Sequence, residues 1–447
     1  MSLRILRYII ISTFMSKILS INVLPSKSVS GLHGYDFFRA IGSPKYVSAP
    51  MVDQSSLPWR LLVKKHKTDL AFSQMMHARN FMNDKKYRED CIDWEDYTHT
   101  SGNPDLELQA RRADFPLIVQ LAGDDPNVLV NAGKYVENSP NVVAIDLNLG
   151  CPQKIAKRGN YGAYLLPDTD LIQRLLTSMV KELKVPITAK IRRLATDEET
   201  LHLCRVIESC GVSLLTVHGR TVENAKLYTS QADWDIIRKV KETVAIPVIA
   251  NGGISCREDA LQCLEYTGAD GVMSSEALLE NPKLFCEEGD LDFRTNYVRC
   301  QLSTATEFLQ LVESHALPRA LSQVVRGHLF KFLFRFVDAE KNADLRQLLA
   351  EGKYEDMKSI VRRLEERLAS VDFDTKAAEE QGWLNNRTWY MRHRDDKAFS
   401  RILSPRRSRA PKDFGKTAED IAREREERLD ALRTRLAERK GTSLATQ

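Results

Sequence analysis

The sequence of 447 residues lacks the patterns that mark small disulfide-rich or zinc-binding domains. Its 8 cysteines include no Cys-x-x-Cys pair, and no His and Cys residues stand at zinc-ligand spacing. A run of about 18 uninterrupted apolar residues is also missing, so no membrane-spanning helix is predicted. These absences favour an intracellular protein without a metal, whose reduced cysteines mostly pack as small apolar side chains.

Acidic side chains are missing from the first 35 residues, which carry four basic ones. We place residues 1–33 outside the fold, as a mitochondrial targeting segment or as a short tail left when translation starts at Met15. At the other end, residues 401–447 hold 13 basic and 8 acidic side chains, and the tail 396–447 is expected to be largely disordered. Without targeting, a cytoplasmic or nuclear location is expected.

Short apolar runs alternate with amphipathic segments through the first two thirds of the chain, a pattern typical of parallel strands joined by helices. Eight such units in about 230 residues predict a (β/α)8 TIM barrel over 34–290, since these barrels have about 250 residues. The alternative, a doubly wound open sheet, would carry a glycine-rich fingerprint after its first strand, and the sequence has none there. The runs are residues 46–51, 69–75, 116–121, 142–149, 186–191, 214–219, 247–252 and 270–275.

Strand patterns are not evident from 296 to 390, where several segments have apolar residues at helical spacing. We therefore predict a smaller all-helical domain over 296–390. Its stretch from 315 to 336 contains no acidic residue and four basic ones, which are candidates for a phosphate-binding face. The four are Arg319, Arg326, Lys331 and Arg335.

Polar residues gather at the carboxyl ends of the predicted strands, where barrels have their active sites. Lys190 ends an otherwise apolar strand, and its ammonium must face the mouth of the barrel or a partner, because an unpaired buried charge is costly. His218 falls in the same layer. The whole set comprises Pro50, Met51, Gln120, Asn148, Cys151, Lys190, Arg192, His218, Arg220, Asn251, Gly252, Gly253, Ser275 and Glu276.

The last two predicted strands end in loops suited to phosphate. Gly252 and Gly253 allow close approach of the backbone to an anion, and Ser275 and Glu276 follow the next strand. A simple turn at the two glycines is the alternative interpretation. With a cation at Lys190 beside a planar ring, the set suits flavin mononucleotide (FMN) better than a bare sugar phosphate, although the spacing does not force that choice.

Cys151 ends the strand of residues 142–149 and precedes a basic loop. Because an unperturbed thiol has a pKa near ~8.5, it is mostly protonated at neutral pH and can serve as a general acid. A nucleophilic role is disfavoured, since no histidine pairs with it in the sequence pattern. Lys154, Lys157 and Arg158 follow directly and are predicted to contact phosphates.

Six sequence words together resemble the tRNA-dihydrouridine synthases, flavoenzymes that reduce selected uridines. The resemblance covers about residues 34–290 and is closest to the eukaryotic branch acting on uridines 16 and 17 of the D-loop. The words are APMVDQS, LNLGCPQKIAKRGNYGAYL, TAKIRR, TVHGRT, ANGGI and GVMSSEALLENP.

This resemblance implies a role for each matching residue. NADPH or NADH would reduce FMN, hydride would pass to C6 of the uracil, and Cys151 would protonate C5. The implied cofactor-binding residues are Pro50, Met51, Val52, Gln120, Lys190, His218, Asn251, Gly252, Gly253, Ser275 and Glu276. The residues expected to contact tRNA are chosen for their positive charge and not by the resemblance: Lys154, Lys157, Arg158, Arg192, Arg220, Arg326 and Lys331. The protein is expected to act as a monomer.

The chain departs from the usual family pattern at Asn160, where a histidine is common, and at Gly253, Ser275 and Ala277. These differences concern loop and phosphate contacts rather than the chemistry. Two other functions remain open: a flavin-dependent reductase or dehydrogenase of free pyrimidines, and a non-catalytic RNA-binding protein that keeps the barrel as a scaffold.

Overall fold

The computed structural model describes residues 29–94, 104–223, 232–315 and 321–392. Most of the predicted N-terminal extension, Arg319 and the whole predicted tail 396–447 lie outside the described residues. Within the described ranges, no helix combines the length and the apolar character needed to cross a bilayer.

The strands of this part of the chain form one parallel sheet that closes on itself. Pairing of β2 with β4 completes a ring of eight strands, and the two-residue β3 adds to β4. Six of the eight fall within one predicted apolar run, and β4 and β6 each extend one residue past theirs, so the (β/α)8 barrel is confirmed. The bounds are β1 Tyr46–Ser48, β2 Leu70–Phe72, β3 Met76–His77, β4 Leu117–Ala122, β5 Val142–Leu149, β6 Ile187–Arg192, β7 Leu214–His218, β8 Val248–Asn251 and β9 Gly271–Ser274.

Helices connect the strands on the outside of the barrel. Several begin at the side-chain caps that the sequence provides: Asp168 accepts from Leu171 N–H, and Thr196 and Glu199 form a reciprocal capping box. The bounds are α1 Gly34–Ala40, α2 Leu57–Lys65, α3 Ala78–Asn83, α4 Lys85–Cys91, α5 Pro104–Asp114, α6 Pro126–Val136, α7 Lys154–Arg158, a 3-10 turn Gly162–Leu165, α8 Thr169–Glu182, α9 Asp197–Ser209, α10 Trp234–Thr243 and α11 Arg257–Thr267.

The interior of the barrel changes from apolar to polar along the strands. Toward the amino ends, Ile118, Ala144 and Leu214 belong to an apolar cluster that also holds Phe37 and Phe38 of α1. Because side chains alternate with a period of two, the next interior positions on these strands are the polar residues Gln120, Asp146 and Thr216. The barrel is therefore filled by apolar side chains at one end and lined by polar ones at the other.

Only helices follow β9 among the described residues, and they pack against the barrel. Trp59 of α2 stacks on His328 of α15 with ring centroids 4.9 Å apart, and His66 Nε2 lies 2.8 Å from Glu307 Oε2 of α14. These helices share one apolar core with the outer face of the barrel. Their bounds are α12 Glu276–Glu280, α13 Glu287–Thr295, α14 Tyr297–Ser314, α15 Leu321–Phe332, α16 Phe334–Val337, a 3-10 turn Glu340–Asn342, α17 Ala343–Glu351, α18 Tyr354–Leu368, a 3-10 turn Ala369–Val371 and α19 Thr375–Glu380.

Candidate active site

Cys151 lies two residues beyond the end of β5, half-buried at the open end of the barrel. Asn148 Oδ1 accepts from the backbone N–H groups of Gly150 and Cys151, at 3.1 and 3.0 Å. Burial raises the pKa of the Cys151 thiol, and the backbone at Gln153 and the charges of nearby Arg192 and Lys190 only partly offset this effect. The thiol is therefore held in its protonated form at neutral pH.

Lys190 reaches into the barrel from β6. Its ammonium donates to Asn251 Oδ1 at 3.0 Å, and this bond crosses the interior because β6 and β8 are not neighbours in the sheet. Asn251 in turn donates to Met273 O. Burial, with Arg192 nearby, lowers the pKa of Lys190 to about 8, while Asp146 opposes this shift. An anionic ligand bound beside Lys190 would raise this pKa again and so favour the charged ammonium form.

His218 ends β7 beside Lys190. Burial first, and then the positive charges of Arg192, Lys190 and Arg220, hold the pKa of His218 well below its usual range. Its backbone carbonyl accepts from Arg193 N–H and Arg220 N–H, at 3.1 and 2.7 Å. The neutral imidazole can therefore donate one hydrogen bond and accept another.

Gly252 and Gly253 follow β8 with φ angles of +107° and +79°. A Cβ on Gly252 would lie 2.8 Å from Ala232 Cβ and 2.8 Å from His218 Cδ2, so only glycine fits. Trp234 Nε1 donates to the carbonyl of Gly252 at 2.9 Å and fixes the turn. The buried Gly252 and the half-buried Gly253 thus make a tight turn at the mouth of the barrel.

The loops after β9 and β1 complete the rim. Ser275 is half-buried and Glu276, the first residue of α12, is exposed. Pro50 and Met51 are half-buried, and the side chain of Val52 is 49% exposed. The predicted cofactor-binding residues therefore lie at one end of the barrel, except Gln120, which is fully buried one layer deeper beside Asp146.

A family model for dihydrouridine synthase matches residues 47–371. The chain belongs to the dihydrouridine synthase family. The match spans the barrel and most of the helical region behind it.

Named relatives of this family member are similar over most of its length. It is 40% identical over 323 residues to the tRNA-dihydrouridine(16/17) synthase-like protein of Rattus norvegicus, covering 72% of this chain and 67% of that one. Identity is 35% over 349 residues with the tRNA-dihydrouridine(16/17) synthase of Schizosaccharomyces pombe, covering 76% and 82%. It is 37% over 321 residues with that of Saccharomyces cerevisiae, covering 71% and 72%. The family and the branch expected from the sequence words are thereby confirmed.

In this dihydrouridine synthase family member, three of the predicted tRNA-contacting residues lie exposed on one short helix. Lys154, Lys157 and Arg158 belong to α7, which begins three residues after Cys151. Asn160 follows with a φ of +49°, a conformation that asparagine tolerates, and its Nδ2 donates to Asp124 Oδ2 at 3.1 Å. The basic helix therefore lies next to the thiol.

The other four predicted tRNA contacts already bind protein groups. Arg192 is buried and donates to Gly150 O at 2.7 Å, while Arg220 Nη1 lies 3.4 Å from His218 Nε2. Arg326 donates to the carbonyls of Leu349 and Gly352 inside the helical region. Lys331 is half-buried and donates to Gln54 Oε1 at 2.7 Å. Arg192 and Arg220 belong to the site, whereas Arg326 is not brought to it.

Sequence patterns missed Asp146 and Thr188, which lie fully buried one layer below Lys190. Asp146 accepts from Thr188 Oγ1 at 2.6 Å and from Gln120 Nε2 at 2.8 Å. The signal was a carboxylate inside the apolar run VVAIDLNL, which requires partners because a buried charge is costly.

The polar groups around Lys190 leave hydrogen-bonding capacity that a flavin could use. The Thr216 hydroxyl oxygen is buried and has no hydrogen-bond partner in the described part of the chain. It lies on β7 next to Lys190, whose ammonium has donors beyond the one given to Asn251. The polar edge of a flavin ring could form hydrogen bonds with the Thr216 hydroxyl and the Lys190 ammonium, and its phosphate could bind near the two glycines. Among the described residues, no group of three or more His, Cys, Asp or Glu side chains could hold a metal ion.

Proposed function

We propose that this protein reduces uridines in the D-loop of tRNA, at positions 16 and 17, to 5,6-dihydrouridine. The main supporting observation is the half-buried Cys151 at the mouth of a barrel that also presents Lys190 and a glycine pair. Membership of the dihydrouridine synthase family and the names of its relatives support the substrate class.

FMN would be held by its phosphate at Gly252, Gly253 and Ser275, and by its ring at Lys190 and His218. Bound there, it would supply the hydride that adds to C6 of the uracil, after taking reducing equivalents from NADPH or NADH. Cys151 donates its proton to C5, which completes saturation of the C5–C6 bond, and the thiolate regains a proton from solvent.

A uridine within folded tRNA must leave its stack to reach the barrel. The exposed α7 supports this step, because Lys154, Lys157 and Arg158 can hold backbone phosphates beside the site of chemistry. Such contacts position the RNA without reading its sequence, so the choice of uridine would depend on the shape of the bound tRNA.

The test is to purify the full chain, record its absorbance for bound flavin, and incubate it with unmodified tRNA and NADPH. We expect a flavin spectrum and dihydrouridine in the digested nucleosides. Cys151→Ala should lower the rate about 100-fold or more, in the range of general acid catalysis, and still bind flavin. Cys286→Ala is the matched control, since Cys286 is also half-buried but lies on the helical side.

Two results would contradict the proposal. Reduction of free uracil but not of tRNA would favour an enzyme of free pyrimidines. Full activity of Cys151→Ala would contradict the role of Cys151 as proton donor, and a purified chain that binds no flavin would contradict the role of FMN as hydride donor.

A further inference from the structure

Four buried side chains form a continuous line of hydrogen bonds from the middle of the barrel to the catalytic loop. Thr188 Oγ1 donates to Asp146 Oδ1 at 2.6 Å, and Gln120 Nε2 donates to Asp146 Oδ2 at 2.8 Å. Asn148 Nδ2 donates to Gln120 Oε1 at 2.7 Å. Asn148 Oδ1 then accepts from the backbone amide of Cys151 at 3.0 Å.

The direction of every bond in this line follows from the carboxylate at its inner end. An ionised carboxylate only accepts, so Gln120 must turn its NH2 group toward Asp146 and its oxygen toward Asn148. Asn148 must then donate to Gln120 and keep its own oxygen for the amides of Gly150 and Cys151. If Gln120 were turned round, its oxygen would face the Asp146 carboxylate and its NH2 group would face that of Asn148. If Asn148 were turned round, its NH2 group would face the backbone donors of the loop.

Burial of Asp146 is unfavourable in itself. The residue is fully buried, and burial raises the pKa of its carboxyl to about 6 despite the bonds from Thr188 and Gln120 and the charge of Lys190. An apolar side chain at this position would cost less free energy, because a buried charge must give up its hydration. A positional role explains why an oxygen acceptor rather than an apolar side chain stands there.

We propose that Asp146 is a positioning residue that acts through Gln120 and Asn148 to hold Cys151 in the orientation for proton donation. The consequence for the reaction rests on the proposed function, whereas the directed line of hydrogen bonds does not. The hydrogen bonds of Asp146 come from Gln120 and Thr188, so its effect on Cys151 is indirect.

The test exchanges amide and carboxylate side chains of nearly equal size at positions 146 and 148, which changes the direction of the hydrogen bonds along the line. In Asn148→Asp, Gln120 lies between two carboxylates and its oxygen must face one of them, so the urea midpoint of unfolding should fall and dihydrouridine formation should drop at least 10-fold. In Asp146→Asn, the new amide can donate to the Thr188 hydroxyl and still accept from Gln120, so the midpoint should stay close to that of the wild type and the rate within 3-fold.

The double variant Asp146→Asn/Asn148→Asp exchanges the amide and the carboxylate at the two ends of Gln120. The amide at position 146 can then donate to Gln120, and Gln120 can donate to the carboxylate at position 148, so every bond in the line has a donor and an acceptor again. This variant should recover the midpoint and at least 10-fold in rate over Asn148→Asp alone.

Asn342→Asp serves as the control for a buried amide exchanged for an acid, since Asn342 is 1% exposed in the helical region. Asp146→Asn should not rescue it. The proposal is overturned if Asn148→Asp resembles the wild type, or if the double variant is no better in midpoint. Recovery of the midpoint without recovery of the rate would overturn the positioning role. If the wild type forms no dihydrouridine, the proposed function fails, yet the midpoints still decide whether the line exists.

Discussion

At the scale of single residues, the backbone behind Cys151 leaves no space for a side chain. Gly162 has a φ of +69°, and a Cβ there would lie 2.8 Å from Cys151 O and 2.9 Å from Cys151 Cβ. The next amide, Ala163 N–H, donates to Cys151 O at 3.1 Å. The chain that leaves α7 therefore returns to support the thiol from behind.

Gly162→Ala should move this support and lower dihydrouridine formation at least 10-fold, because the new methyl group cannot fit without a shift of Cys151. Gly268→Ala is the matched control: its φ is +64°, but nothing lies within 4 Å of the added Cβ. Both variants should lose about 1–2 kcal/mol of unfolding free energy from the left-handed backbone, and only the first should lose activity. Equal rates in nucleoside analysis would contradict this role of Gly162.

At the scale of elements, α2 is attached to the barrel through a buried arginine. Arg60 donates to Asp114 through Nε and Nη2, both at 2.8 Å, and to Asp93 Oδ1 at 2.8 Å. The Arg60 and Asp114 side chains are 1% and 0% exposed. Three segments that are distant in sequence therefore meet at one guanidinium.

Arg60→Leu should lower the free energy of unfolding by about 3–5 kcal/mol, because it leaves the buried Asp114 carboxylate without its cation. Arg39→Leu, which removes an exposed pair with Asp36, should change it little. Urea unfolding of both variants measures the difference. A loss for Arg60→Leu no larger than that for Arg39→Leu would show that Asp114 is satisfied by other groups.

At the scale of the whole molecule, the last described segment returns to the barrel through a buried carboxylate. Glu280 of α12 is 1% exposed, and its two oxygens accept from the backbone N–H groups of Trp389 and Tyr390, both at 2.8 Å. The sequence predicted a separate helical domain over 296–390. The shared core and this contact show how closely the helices pack on the barrel, while the predicted boundary stays a prediction.

Burial of Glu280 should make stability depend on pH, against the effect of the two backbone N–H groups, which favour the ionised carboxylate. Burial raises the pKa of Glu280 from 4.5 to about 7, so the folded state binds the proton more tightly than the unfolded state does. The resulting stabilisation is complete below pH 4.5 and is lost as the pH rises through about 7, with a magnitude on the order of 3 kcal/mol.

Glu280→Gln cannot ionise, so its unfolding free energy should vary less than that of the wild type between pH 4.5 and 7. Glu287→Gln, at an exposed carboxylate on α13, should keep the dependence of the wild type. Parallel pH dependences for the wild type and Glu280→Gln in urea titrations would argue against the raised pKa.

The sequence by itself determined the barrel and the family, because both depend on local patterns. Strand-length apolar runs followed by amphipathic segments specify parallel pairing, and a parallel barrel brings the ends of all its strands to one mouth. That rule was enough to predict that Cys151, Lys190 and Asn251 lie close together, although they are far apart in the chain. The sequence motifs that contain these residues were specific enough to indicate the dihydrouridine synthase family.

Only the tertiary structure decided which polar groups meet. The partners of Asp146 are on β4 and β6, those of Arg60 are on α5 and the segment after α4, and those of Glu280 lie more than 100 residues away. Hydrogen-bond partners across strands and helices are set by register and packing, which a one-dimensional pattern does not encode. For the same reason, the sequence predicted that Arg326 and Lys331 contact tRNA, whereas in the fold Arg326 donates to two backbone carbonyls and Lys331 donates to Gln54.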